Sequence, residues 1–291
     1  MSAFRAGTIL TGFMALTVPL MPVQAALIRF SPRLARRLPN WYHRQVCRMI
    51  GVRLKIYGEV ARDRPVLLVA NHTSWLDIPV LSAVAPLSFV AKKEVGSWPF
   101  VSSLARLQRT VFVDRERRSA VGETAGEIME RLRAGEAIVL FAEGTSSDGN
   151  RVLPFRTSLF AAAKPSARSS QAPHGAVVQP VSLVYTHLHG VPLGRADRPG
   201  VGWYGDMEMQ SHAWQLLKAG PLDAEIRIGE PVPLADFADR KQLALISEAE
   251  VRRQLVSTLR ARPREEIIEV IVPDEDARKG QRSHAASSKW R

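Results

Sequence analysis

The chain of 291 residues predicts an α/β domain with a mostly parallel central sheet flanked by helices, preceded by a membrane-associating helical segment. Three observations carry this. From about Arg53 to Val232, short runs rich in Val, Leu, Ile and Phe alternate with helical stretches, and such runs suit strands covered on both faces. The residues with chemical character stand just after those runs, where the sites of such sheets collect. Ahead of the domain, Ala6 to Ile28 forms an uncharged run of 23 residues, long enough to reach across a bilayer core as one helix.

Taken in order, the N-terminal run carries its own interruptions. Pro19 and Pro22 break helical hydrogen bonding, Gly7 and Gly12 loosen it, and Thr11 and Thr17 lower its hydrophobicity. A shallow or re-entrant helical segment is thus expected beside a full span. A secretory leader is the rival reading, since Arg5 precedes the run and Val23-Gln24-Ala25 ends it with small-residue chemistry; a buried core helix is the third. The Arg residues at 29, 33, 36, 37, 44, 48 and 53 favour retention at the cytoplasmic face of an inner membrane, with Trp41 and Tyr42 among them as interfacial anchors. Residues 1–52 are read as this membrane-associating region.

In the domain proper, placed at 53–262, strands are expected at Pro65 to Ala70, Leu87 to Ala91, Thr110 to Val113, Ala137 to Ala142 and Val177 to Tyr185. Helices are expected at Ser74 to Val84, Pro99 to Leu107, Arg118 to Ala134, Phe155 to Ala163 and Arg240 to Arg262, with Gly135 ending the third. Residues 263–291 have the composition of a mobile basic tail.

Charge narrows the partners. With 40 Lys and Arg against 28 Asp and Glu, the formal charge of +12 calls for a polyanionic surface. Without a nucleic-acid-binding motif, an anionic membrane is preferred to nucleic acid. A single cysteine, Cys47, rules out an internal disulfide framework and a Cys-rich metal site, and no role is assigned to it. His187-x-His189 lacks a completing ligand, so no metal is expected.

Three constellations carry chemistry. Asn71-His72-Thr73-Ser74-Trp75-Leu76-Asp77 follows a strand, and a turn at His72 with Asp77 in the first helical turn lets the carboxylate reach back to the imidazole. No Gly-x-Ser-x-Gly elbow supplies a serine, so this pair must activate a nucleophile brought by the substrate, and a hydroxyl fits. Phe112-Val113-Asp114-Arg115 ends a second strand. Phe141-Ala142-Glu143-Gly144-Thr145 ends a third, where Glu143 offers an acceptor, Gly144 close backbone approach and Thr145 a hydroxyl. Taken singly, each is also an ordinary turn.

In order along the chain, and with Pro180-Val181 as a fourth element, these motifs resemble the glycerolipid acyltransferases typified by 1-acylglycerol-3-phosphate acyltransferases. That resemblance, covering about Pro65 to Val184, implies His72 as general base and Asp77 as its orienter. It implies that Asn71, Phe112, Asp114, Arg115, Glu143, Gly144 and Thr145 shape the substrate site. It also implies an acyl carrier protein or coenzyme A thioester as donor, a lysolipid as acceptor, and no bound cofactor. The chain departs from the family pattern at Arg109, Ala142 and Ser146; the last stands where an Arg suits a phosphate-bearing acceptor. Glu143 to Phe155, including Arg151, and Trp203 to Met207 resemble the lyso-ornithine lipid O-acyltransferase branch, whose acceptor has an amino-acid head group and no phosphate. Transfer to lysophosphatidate, with Arg109 or Arg151 serving the phosphate, is the alternative; a non-enzymatic basic membrane-binding protein is the other.

Overall fold

The computed structural model describes residues 2–113, 118–162, 175–260 and 269–271. Helix α1, Ser2–Phe30, runs unbroken through Pro19 and Pro22, so the interruption expected there does not occur. After Ser31, α2 spans Pro32–Ile50 and stops at Gly51, whose left-handed backbone returns its N–H to the carbonyls of Cys47 and Arg48. The domain then alternates: β1 Val52–Tyr57, β2 Val66–Ala70, α3 Asp77–Val84, β3 Leu87–Lys92, α4 Val101–Leu107, β4 Val111–Val113, α5 Arg118–Arg133, and β5 Ala137–Phe141. It continues with β6 Val177–Leu188, β7 Val191–Pro192, α6 Met209–Ala219, β8 Leu222–Ile228, β9 Val232–Pro233 and α7 Arg240–Leu259. A final strand, β10 Glu269–Ile271, comes from the segment expected as a tail and pairs antiparallel with β1. Asp114 and Arg115 lie outside the described residues.

Along the sheet the order is β10-β1-β8-β6-β2-β5-β3-β4. Contacts of β2 with β5 and β6, of β3 with β4 and β5, and of β1 with β8 are parallel, while β6 and β8 meet antiparallel. Strand β2 lies at the centre and is buried at every position. Its alternation divides the interior: Val66, Leu68 and Ala70 face the layer of α1, α2, α3 and α6, whereas Leu67 and Val69 face that of α5 and α7. The expected strands and helices stand within a few residues of their observed ends. The segment expected as a helix from Phe155 instead forms a short 3₁₀ turn, Thr157–Ala162.

Helix α1 reverses the usual arrangement of a water-facing helix. Three of its polar side chains, Arg5, Thr17 and Gln24, turn inward, while Thr8 and Thr11 stay exposed. Thr17 bonds the Tyr42 hydroxyl at 2.7 Å, and Gln24 donates to the carbonyls of Ala35 and Leu107 at 2.9 Å each. Arg5 donates to the carbonyls of Leu217 and Ile50. Phe4, Val18, Val23 and Phe30 point outward. The helix is long and apolar enough to cross a membrane by length and composition, and little of its apolar surface is covered by protein.

Gly58, just past β1, has φ +82°, and a Cβ there would lie 2.2 Å from the carbonyl oxygen of Ile228 at the end of β8. Backbone must move to admit it. Gly58→Ala is expected to cost about 2–3 kcal/mol, which unfolding of the detergent-solubilised protein would measure; unchanged stability would refute this close approach.

Candidate active site

The first motif begins where β2 ends, at the centre of the sheet and on its carboxyl edge. The chain turns at His72 and enters α3 at Asp77, so the sequence spacing does what the reach-back argument requires. Asp77 is fully buried. Its Oδ2 lies 2.7 Å from His72 Nδ1 and also accepts the amides of Thr73 at 2.7 Å and Ser74 at 3.0 Å. Its Oδ1 accepts the Tyr185 hydroxyl at 2.7 Å, from β6. A carboxylate with four donors can only accept, so the imidazole proton sits on Nδ1 and the lone pair on Nε2.

The ring is held from behind as well. Phe141, the last residue of β5, stacks on it with centroids 4.1 Å apart and planes 19° from parallel. The turn itself is pinned by backbone: the Ser147 amide donates to the His72 carbonyl at 2.8 Å, and the Trp203 amide to that of Thr73 at 2.9 Å. Trp75 Nε1 donates to His212 of α6 at 3.0 Å. None of these partners is adjacent in sequence; Phe141 and Trp203 stand in motifs already read from the sequence, but nothing in those motifs signalled their contacts with this turn.

His72 opens onto a cavity of about 1370 Å³ lined by α1, α2, α4, α6 and the loop after β7. Its far walls are apolar, with Phe13 and Met14 of α1, Val46 of α2, Phe100 and Leu104 at α4, and Trp214 of α6. Gly144, Thr145 and Ser146 line it beside His72, as does Lys92 at the end of β3. Glu94, Asp206 and Glu208 bring acidic charge to the same lining. The Ser146 hydroxyl is bonded to the Trp203 carbonyl, which fixes the loop bearing Asp206 against the site.

Other expected site residues lie elsewhere. Asn71 is buried, and both ends of its amide bond the backbone of Leu183, at 2.9 Å each; it clips β2 to β6 and lies outside the cavity lining. Glu143 also turns inward, accepting the His72 amide at 3.0 Å, so it braces the turn and does not reach the cavity. Burial pushes its carboxyl up to about 8, with the charges of Asp77 and Glu248 adding to the shift. Phe112 packs on Gly96 and under the Arg106 guanidinium, outside the cavity lining. Arg151 is exposed and likewise outside it, and Arg109 pairs with Glu136 at the opposite end of the strands. Cys47 is buried and its thiol is pushed up to about 12 by that burial, which keeps it unreactive. His187 bonds Thr186 at 3.0 Å, and no cluster of three metal-ligating side chains occurs among the described residues.

This geometry is that of a base without a nucleophile of its own beside a chamber for a long apolar chain. A family model described as Acyltransferase matches residues 52–184. A lyso-ornithine lipid O-acyltransferase of Brucella abortus is 48% identical over 254 residues, covering 87% of this chain and 95% of that protein. The chain belongs to the acyltransferase family. A lyso-ornithine lipid O-acyltransferase of Rhizobium meliloti is 44% identical over 246 residues, 84% of each chain. A 1-acyl-sn-glycerol-3-phosphate acyltransferase of Neisseria gonorrhoeae is more distant, 32% identical over 68% of this chain and 74% of its own. The crystal structure of the 1-acyl-sn-glycerophosphate acyltransferase PlsC from Thermotoga maritima has the same fold, with a TM-score of 0.64 at 24% identity over 91% of this chain and 97% of that one. Acyltransferase chemistry thus belongs to this chain, and the α/β sheet behind its N-terminal helix is the fold of that structure.

The raised carboxyl of Glu143 gives a signed prediction. The folded state holds a proton that the unfolded chain releases, so this residue's contribution to stability is complete below the ordinary carboxylate range and fades as pH rises through about 8. Glu143→Gln keeps the oxygen facing the His72 amide and removes the titration. Thermal unfolding between pH 5 and 8 is expected to show the wild type losing stability relative to the variant as pH rises; parallel curves would contradict the assignment.

Proposed function

We propose that this acyltransferase moves a fatty acyl group from an acyl carrier protein or coenzyme A thioester to the hydroxyl of lyso-ornithine lipid, forming ornithine lipid. In this reading Nε2 of His72 takes the proton of the acceptor hydroxyl as its oxygen bonds to the thioester carbonyl carbon. The C–S bond then breaks, and the thiolate takes that proton back from the imidazolium. Asp77 steadies the imidazolium, and Gly144 and Thr145 border the reacting atoms. The apolar cavity receives the acyl chain. Helix α1 beds its outward apolar face in the inner membrane, and the basic residues that follow meet anionic head groups on the cytoplasmic side. There the soluble thioester donor is found.

The observation that carries the acceptor is the charge of the cavity lining. Among the described residues Lys92 is the only Lys or Arg there, against Glu94, Asp206 and Glu208. Among these described residues a phosphate monoester would meet carboxylates and no guanidinium, whereas an ornithine head group brings an ammonium to those carboxylates and a carboxylate to Lys92. Ser146, at the position where the phosphate-binding relatives' pattern has Arg, is committed to the Trp203 carbonyl. The names of the two most similar relatives quoted above support the same acceptor.

Membranes containing the protein, offered labelled acyl thioester with lyso-ornithine lipid or lysophosphatidate, test both parts. Transfer to lyso-ornithine lipid is expected, falling about a thousandfold in His72→Ala. Transfer to lysophosphatidate alone would overturn the acceptor while sparing the chemistry; undiminished turnover in His72→Ala would overturn the chemistry. Asp206→Asn with Glu208→Gln is expected to raise KM for lyso-ornithine lipid roughly threefold to tenfold with little loss of kcat, since each is a partly solvated ion pair.

A further inference from the structure

We infer that Tyr185 is a positioning residue of the reaction, its hydroxyl fixing the Asp77 carboxylate in the one rotation that serves His72. Nothing in the motif that contains His72 and Asp77 points to it, since Tyr185 stands 108 residues from Asp77 in the chain. The geometry joins them. Oδ2 of Asp77 is crowded by the imidazole and the amides of Thr73 and Ser74, all from its own turn. Among the described contacts, Oδ1 has a single donor, the Tyr185 hydroxyl at 2.7 Å. Without it one carboxylate oxygen would be buried and unsatisfied at 0% exposure, and the carboxylate would be free to turn about its bond to the chain. A turned carboxylate holds the imidazole in a less productive orientation.

Tyr185 can hold this station because its own surroundings leave it no alternative. It is buried in β6. Burial, together with the charge of Asp77, keeps the phenol far above its ordinary titration range, so it remains a donor at any working pH. It also sits where the pairing of β6 with β8 changes register, between Tyr185 and His187, a local irregularity of the kind that re-aims a side chain. The other titratable groups bearing on Asp77 are His72 in its own turn and Glu143 from the end of β5, while Cys47 of α2 bears on Tyr185 from behind. None of them donates to Oδ1.

The direction of the effect follows from the hydrogen bond. A donor to Oδ1 draws charge from the carboxylate and weakens its hold on the imidazolium, so removing the donor should strengthen that hold. Tyr185→Phe is expected to lower kcat roughly tenfold, the size of one hydrogen bond to a charged group, with KM for the thioester little changed. The acid limb of kcat/KM should move to higher pH by about half a unit or more. A residue that only packed the core would not move that limb. In the Asp77→Asn background the same substitution should cost almost nothing, because Tyr185 acts through Asp77.

This inference rests on His72 as the base, and His72→Ala tests that separately. If His72→Ala abolishes transfer while folded Tyr185→Phe leaves both kcat and the acid limb unchanged, Tyr185 has no such role and the base stands. Effects of Tyr185→Phe and Asp77→Asn that simply multiply would overturn it as well. Should Tyr185→Phe fail to fold, 3-fluorotyrosine at 185 keeps the ring and strengthens the donor. The acid limb is then expected to move to lower pH, and an unmoved limb overturns the inference.

Discussion

A carboxylate at the centre of the molecule with no access to water must be surrounded by donors or give up its charge, and much of this structure is arranged around meeting that demand at Asp77. Two amides of the preceding turn, an imidazole and a phenol supply the donors. Each is delivered by a different feature: the amides by the tightness of the turn between β2 and α3, the phenol by β6, the imidazole by a ring stacked on Phe141 at the end of β5. The order of strands then follows as a requirement. Strands β6 and β5 must flank β2 for the phenol and the stacking ring to meet the same turn, and they do. Asn71 and Glu143 serve the same end, one locking β2 to β6 through Leu183 and the other holding the amide of His72.

The half built around α1 obeys a complementary constraint if its apolar face lies in lipid, as proposed. In lipid the apolar face of a helix needs no protein cover, but its polar side chains do. Helix α1 meets this by directing Arg5, Thr17 and Gln24 to α2, α4 and α6, so that the same bonds that satisfy the polar groups also tie the helix to the roof of the cavity. Its prolines are compatible with an unbroken helix because the lost hydrogen bonds fall within a segment held by tertiary contacts on both sides. The local rule for Pro was overridden by packing that no window of sequence contains.

What the sequence disclosed and what it hid divide along the same line. His72 and Asp77 were legible because their interaction closes over five residues, a distance at which strand-end and helix-start geometry leaves few options. The strands were legible because β2 and β5 are buried on both faces and continuously apolar, and β6 is mostly so through Tyr185. Asn71 and Glu143 were read as substrate contacts because they stand in the motifs that carry the family resemblance, yet their partners lie 112 and 71 residues away and only the fold shows them. Tyr185 was hidden for the same reason. Arg109 looked available for a phosphate until its pairing with Glu136 placed it at the far end of the sheet.

The division of the cavity into an apolar depth and a charged rim bears on the chemistry itself. A thioester held beside a general base is open to hydrolysis, since water is a smaller nucleophile than a lipid hydroxyl and needs no recognition. What favours transfer is exclusion of water at His72 until the acceptor is seated. Phe141 covers one face of the ring, and the apolar walls contributed by α1, α2, α4 and α6 are completed only where an acyl chain lies against them. In the proposed reaction the acceptor, anchored at the rim by its head group, then brings its hydroxyl to the lone pair on Nε2 in place of water. On this view the N-terminal helices are part of the catalytic apparatus as well as an anchor, because without them the base would stand beside an open groove.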